Sequence, residues 1–180
     1  MKTKLLLGIT GSIANYKACE IIRELKKKEI DIWVVMTKNA TNFITPLTLK
    51  TLSENPVFID MFAENSNFDM PHISLSEICK TMLIAPATAN IIGKIANGIA
   101  DDLLSTLALS FKRNIFIAPA MNTAMYKNPA VQENIKKLKQ SEKIFIIEPE
   151  EGELACGDIG KGRLADVNKI VEIVLEDVLS

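Results

Sequence analysis

Histidine is almost missing from this chain: His72 is the only one in 180 residues. The cysteines number three (Cys19, Cys79 and Cys156) and lie far apart. No two of these residues stand at a zinc-ligating spacing, which argues against any metal centre. A Ser-His-Asp hydrolase would have to use His72 as its base, and no Gly-x-Ser-x-Gly elbow is present to carry the nucleophile. An excess of one charge is also lacking. Lysine and arginine total 21 against 22 acids, a net charge of -1, so no basic surface recommends nucleic acid as a partner. Long hydrophobic runs are missing too. The apolar stretch near the start is broken by Gly11-Ser12 and Tyr16-Lys17 before it reaches signal-peptide length, and no run is long enough to span a membrane. These absences lead to the expectation of a cytoplasmic chain with reduced thiols and no membrane partner.

What is present is regular. Hydrophobic residues make up 48% and charged residues 24% of a length that suits one domain, residues 1–180, with a substantial core. Short apolar runs at Leu5–Ile9, Asp31–Met36, Thr81–Ala85, Asn114–Ala118 and Lys143–Ile147 read as buried strands. Helical patterns alternate with them. Ser12 caps a helix whose inner face is Ala14, Ala18, Ile21, Ile22 and Leu25. Thr88, Asp102, Asn128 and Asp166 stand as caps of four more. The segment from Ala40 to Glu77, punctuated by Pro46, Pro56 and Pro71, yields no clear element. Solid apolar strands alternating with helices predict an α/β, three-layer fold: a parallel sheet with helices on both faces, flavodoxin-like or Rossmann-like.

In such sheets ligands bind beyond the carboxyl ends of the strands. Four segments fall there: Thr10-Gly-Ser12, Thr37-Lys-Asn39, Pro86-Ala-Thr-Ala-Asn90 and Pro119-Ala-Met-Asn122. All are rich in small, hydroxyl or amide residues, which let backbone N–H groups approach a phosphate. Gly8-x-x-Gly11-x-x-Ala14 is only a relative of the dinucleotide fingerprint. Thr37-Lys38-Asn39 stands where a ribose-binding acid is expected, and no P-loop lysine motif occurs. A mononucleotide with one terminal phosphate fits best, and flavin mononucleotide (FMN) is the natural candidate. One further stretch stands out. Gly152 to Arg163 holds four of the chain's eight glycines together with Cys156, and reads either as a loose connector or as a loop that closes over a ligand.

Five segments together resemble the motif set of the flavin-dependent cysteine decarboxylases. They are Gly11-Ser-Ile-Ala14, His72-Ile-Ser-Leu75, Pro86-Ala-Thr-Ala-Asn90, Pro119-Ala-Met-Asn122, and Ala155-Cys-Gly157 with Gly160-x-Gly-Arg163. The match covers nearly the whole chain, with two departures. Ile91 stands where the family has a threonine, and Tyr126 where the aromatic is often tryptophan. The resemblance implies FMN as cofactor and a small-molecule substrate bearing a cysteine carboxylate and a phosphate. Its chemistry would begin with oxidation of the thiol, so that decarboxylation of the thioaldehyde leaves an enethiol, which is then reduced. By the same resemblance His72 would be the base and Cys156 the proton donor. Asn122, Ala155, Gly157 and Arg163 would hold the substrate. Gly11, Ser12, Ile13, Thr37 and Asn39 would grip the flavin phosphate and ribityl chain, with Thr88, Ala89, Asn90 and Ala120 lining the rest. It further implies a homotrimer or homododecamer, with the synthetase that is often fused behind this module acting as a separate enzyme. Alternatives are a peptidyl-cysteine decarboxylase, a flavin prenyltransferase and a non-catalytic flavin-binding regulator.

Overall fold

The computed structural model describes residues 2–62, 71–153, 157 and 159–179. Six strands form one parallel sheet: β1 (Lys4–Ile9), β2 (Asp31–Met36), β3 (Val57–Phe58), β4 (Thr81–Ala87), β5 (Ile115–Pro119) and β6 (Ile144–Ile146). Their order is β3-β2-β1-β4-β5-β6, the doubly wound arrangement of dinucleotide-binding folds. Around the sheet run α1 (Tyr16–Lys27), α2 (Pro46–Ser53), α3 (Pro71–Ile78), α4 (Ala89–Ala96), α5 (Leu103–Ser110), α6 (Thr123–Lys127), α7 (Pro129–Leu138) and α8 (Val167–Leu179).

The strands are apolar throughout because both faces are covered. Leu5, Leu7 and Ile9 of β1 join Ile21, Ile22 and Leu25 of α1 and Ile170, Val174 and Val178 of α8 in one core. Leu6 points the other way, into a second core with Ile91 and Ile92 of α4, Leu104 and Leu107 of α5, and Ile135 of α7. Alternation along each strand therefore feeds two cores rather than a core and a solvent face. The helix starts follow the expected caps. Thr88 accepts from Ile91 N, Asp102 forms a capping box with Ser105, and Asn128 accepts from Ala130 N ahead of Pro129.

Two expectations need correction. The unreadable stretch from Ala40 to Glu77 contains α2, β3 and α3. Its prolines mark their beginnings, since Pro46 and Pro71 are first residues of helices and Pro56 immediately precedes β3. It was hard to read because β3 is a two-residue edge strand and α2 and α3 are only eight residues each, too short for a pronounced period. The second correction concerns the glycine-rich stretch. Much of it is neither loose nor without packing: β7 (Glu150–Glu153) and β8 (Ile159–Arg163) pair antiparallel as a separate two-stranded unit.

At the centre of the sheet the exits of β1 and β4 are tied together. The Thr10 hydroxyl donates to Pro86 O at 2.7 Å and accepts from Thr88 N at 3.0 Å, and the residue is 1% exposed. Thr10→Val keeps the shape and leaves both backbone groups without their partner. The expected loss of stability is about 2 kcal/mol, read as a lower urea midpoint at unchanged slope.

Candidate functional site

The strand order reverses between β1 and β4, since β2 and β3 lie to one side of β1 and β4 to β6 to the other. A crevice opens at such a point beyond the carboxyl ends of the strands. Here it is a cavity of ≈ 630 Å³, and four separate parts of the chain wall it. Gly11, Ser12, Ile13 and Ala14 leave β1 and lead into Tyr16 and Lys17 of α1. Thr88 follows β4. Ala120, Met121 and Asn122 follow β5, with Met125 of α6 behind them. Gly162, Arg163 and Leu164 arrive with β8.

Main-chain geometry dominates these walls. Ser12 is extended (φ -131°, ψ 146°), and its hydroxyl accepts from Ala14 N at 3.3 Å, capping a short 3-10 turn before α1. Gly11 allows the exits of β1 and β2 to touch: a Cβ there would lie 2.8 Å from Asn39 Cβ. Thr37 N donates to Ile9 O at 2.9 Å, and Thr37 Oγ1 is buried with no hydrogen-bond partner among the described residues. After β5, Ala120 N donates to Ala87 O and Met121 N to Gly162 O, both at 2.9 Å, so β4, β5 and β8 meet at one corner. Asn122 Oδ1 accepts from Ala124 N at 2.7 Å, which caps α6 and fixes the plane of the amide.

Lys17 and Arg163 are the charged residues of the lining, and no acid joins them among the described residues. Lys17 occupies the first turn of α1, which carries no acidic side chain. A cation at that end opposes the helix dipole, and an anion bound beside it removes the conflict. Apolar surface from Ile13, Tyr16, Met121, Met125 and Leu164 completes the walls.

Of the expected site residues, Gly11, Ser12, Ile13, Thr88, Ala120, Asn122 and Arg163 therefore come together in the cavity. Thr37 and Asn39 stand beside it at the end of β2, without lining it. Ala89 and Asn90 form the first turn of α4 and are not part of the lining, and neither is the exposed Gly157. His72 is the second residue of α3, outside the lining, with its Nδ1 buried and without a hydrogen-bond partner among the described residues. Ala155 and Cys156 lie outside the described residues. The remaining cysteines behave as core groups. Burial pushes the Cys79 thiol up to about 12 and also raises that of Cys19. Sequence reasoning gave Ala14, Met121 and Gly162 no role although they fall in segments it singled out, and it missed Tyr16, Lys17, Met125 and Leu164. A lysine in the first turn of a helix that lacks an acid there was the one signal that could have found any of them.

The fold is that of a doubly wound α/β protein, with a cavity where its strand order reverses. Residues 1–179 match the flavoprotein family, and the chain belongs to it. A probable phosphopantothenoylcysteine decarboxylase of Streptococcus mutans is 41% identical over 180 residues, covering 99% of this chain and 100% of that one. The coenzyme A biosynthesis bifunctional protein CoaBC of Bacillus subtilis is 46% identical over 168 residues, which is 93% of this chain but 41% of the relative. The chain thus spans less than half the length of that bifunctional relative. Among solved structures, a mutant PPC decarboxylase complexed with pantothenoylaminoethenethiol superposes with a TM-score of 0.86 at 30% identity, over 100% of both chains. The peptidyl-cysteine decarboxylase EpiD gives 0.81 at 31%, also over 100% of both.

The residues present fit a flavin. Main-chain donors and Lys17 at the start of α1 suit a phosphate, and the orphaned Thr37 hydroxyl offers a buried polar partner at the same edge. The apolar groups opposite suit a ring system. Because Gly11 has no room for a Cβ, Gly11→Ala is expected to separate the β1 and β2 exits and weaken flavin binding about tenfold, a cost of about 1.4 kcal/mol. Titration of flavin fluorescence against the purified variant measures this.

Proposed function

We propose that the chain is a carbon-carbon lyase that decarboxylates 4'-phosphopantothenoylcysteine to 4'-phosphopantetheine in coenzyme A biosynthesis, with FMN as its cofactor. One observation carries the reading: the segment Pro119–Asn122 and the segment Gly162–Leu164, far apart in sequence, converge on one flavin-sized cavity. Relatives matched over their whole length include a probable decarboxylase of this substrate.

When bound, the flavin supplies the acceptor and later the donor of a hydride, which makes loss of carbon dioxide from a cysteine derivative feasible. The protein's task is orientation and proton supply. Gly11, Ser12 and Ile13 offer main-chain groups at the start of α1 to the cofactor phosphate, with Thr37 and Asn39 alongside, while Thr88, Ala89, Asn90 and Ala120 form its remaining surroundings. Asn122 would meet the substrate carboxylate with its N–H side, since Oδ1 faces the backbone of α6. A neutral amide orients that carboxylate without adding the positive charge that would stabilise it against leaving. Arg163 would hold the substrate phosphate, with Ala155 and Gly157 closing on the substrate. His72 would act as base and Cys156 as the acid of the final reduction.

The 1–180 domain is proposed to work as a homo-oligomer, a trimer or dodecamer, in the cytoplasm beside a separate synthetase. Ile13 and Tyr16 at the cavity are each 60% exposed, and Met125 is 49% exposed, a large apolar rim for a single chain. Neighbouring copies would cover it and would complete a site whose lining in one chain lacks His72. No described helix is long and apolar enough to cross a membrane.

The test is release of carbon dioxide from 4'-phosphopantothenoylcysteine by the flavin-loaded protein, with a peptide ending in cysteine as the competing substrate. Turnover of the peptide alone would move the assignment to a peptidyl-cysteine decarboxylase. No turnover of either by a yellow protein would favour a flavin-binding regulator. Asn122→Asp keeps a helix-capping oxygen but sets a negative charge against the carboxylate, so kcat/KM is expected to fall about 100-fold with little change in stability. Cys156→Ser is expected to release carbon dioxide yet accumulate the enethiol, detected by mass spectrometry. A normal yield of 4'-phosphopantetheine would remove Cys156 from the mechanism.

A further inference from the structure

The strand β8 is fastened to the body of the protein at three successive residues. At Gly160 a side chain has no room, because a Cβ would stand 2.7 Å from Thr123 Cγ2 and Oγ1. At Gly162 the carbonyl accepts from Met121 N at 2.9 Å, and the residue adopts φ +145°. Between them, Lys161 Nζ donates to Glu148 Oε2 at 2.9 Å and lies 5.5 Å from the centre of the Tyr126 ring. The same Glu148 oxygen accepts from the Tyr126 hydroxyl at 2.9 Å, and Oε1 accepts from Lys139 Nζ at 2.6 Å.

One carboxylate therefore joins β8 to α6 and to the end of α7. Burial alone would raise its pKa, but the hydrogen bonds from Lys139, Lys161 and Tyr126 outweigh that and hold it down to about 2. The carboxylate stays charged at any pH at which the protein would work. An isolated surface ion pair contributes little, whereas a carboxylate shared by three donors with a cation–π contact is a network with defined geometry. Packing does not take its place, because the network borders a second cavity of ≈ 460 Å³. The phenol hydroxyl of Tyr126 is a member of this network.

We propose that Glu148, Tyr126 and Lys161 form a latch that positions β8, so that Gly162, Arg163 and Leu164 keep their place in the cavity wall beside Met121 and Asn122. Glu148 is thus a positioning residue for substrate binding, a role that rests on the proposed function. It touches neither the cavity holding Asn122 nor the flavin-contacting segments, so losing it removes binding common to the ground state and transition state.

Hydrogen exchange and steady-state kinetics of the flavin-loaded chain test this together. In Glu148→Gln and Tyr126→Phe, amides 159–163 are expected to exchange about tenfold faster. KM for 4'-phosphopantothenoylcysteine should rise about fivefold while kcat stays within a factor of about two, and flavin affinity should not change. Lys161→Arg should retain wild-type behaviour and Lys161→Met should match Glu148→Gln. Tyr126→Phe keeps the ring and its packing, which guards the comparison against loss of the fold. Unchanged exchange in both Glu148→Gln and Lys161→Met would overturn the latch, and so would faster exchange with an unchanged KM. A wild-type chain that turns over no substrate would sink the proposed function instead, leaving the exchange comparison to decide whether the network holds β8.

Discussion

The structure depends on one buried hydroxyl bridge. A parallel sheet whose order reverses at its centre has two strands leaving the same edge with their connections pulled toward opposite sides. Something must hold those exits together while leaving the space above them open. Thr10 does so from the end of β1, engaging Pro86 O near the end of β4 and Thr88 N just past it. Without it, two backbone groups would lose a buried partner just where the cavity begins. The neighbouring Gly11 does the complementary work toward β2, by contributing no side chain at all. The cavity opens just beyond these two residues, and Gly11 lines it.

From there the rest is a matter of what each helix start offers. Thr88, Asn122 and the Ser12 turn each place a polar cap at the cavity, and in each the side chain is already engaged with its own backbone. In the proposed function, capping and ligand recognition use the same residues. Asn122 shows how: the bond to Ala124 N that begins α6 also sets the direction in which its amide can meet a carboxylate. Electrostatics adds the remaining element, because Lys17 and Arg163 bring positive charge to a lining that has no acid among the described residues.

Much of this was legible in the chain itself. Ser12, expected to cap α1, caps a short 3-10 turn and α1 follows Asn15, but the central strands and the caps at Thr88, Asp102 and Asn128 could be read because solid apolar runs and capping residues are local signals. The two-residue β3 could not, since an edge strand of that length has no periodicity. Nor could the pairing of β7 with β8. Gly160 and Gly162 carry no strand propensity, and their reason for being glycine lies at Thr123 and Met121, some forty residues earlier. The site was legible to the same extent. Segments at strand ends could be placed on a common edge, but Met125 and Leu164 join the wall only through the packing of α6 and β8.

The β7–β8 unit lies outside the main sheet, yet it furnishes one whole wall of the cavity. The remaining walls are largely main chain from the strand exits, where a substitution disturbs the sheet as readily as the ligand. Selection can thus act on the two parts separately. In the proposed function the sheet edge holds the cofactor under tight constraint. On β8, Gly160 and Gly162 are fixed by packing against Thr123 and Met121, while at little cost to the core change is open to exposed positions such as Ile159 and Arg163. Divergence toward a new substrate, natural or engineered, has its freest ground there.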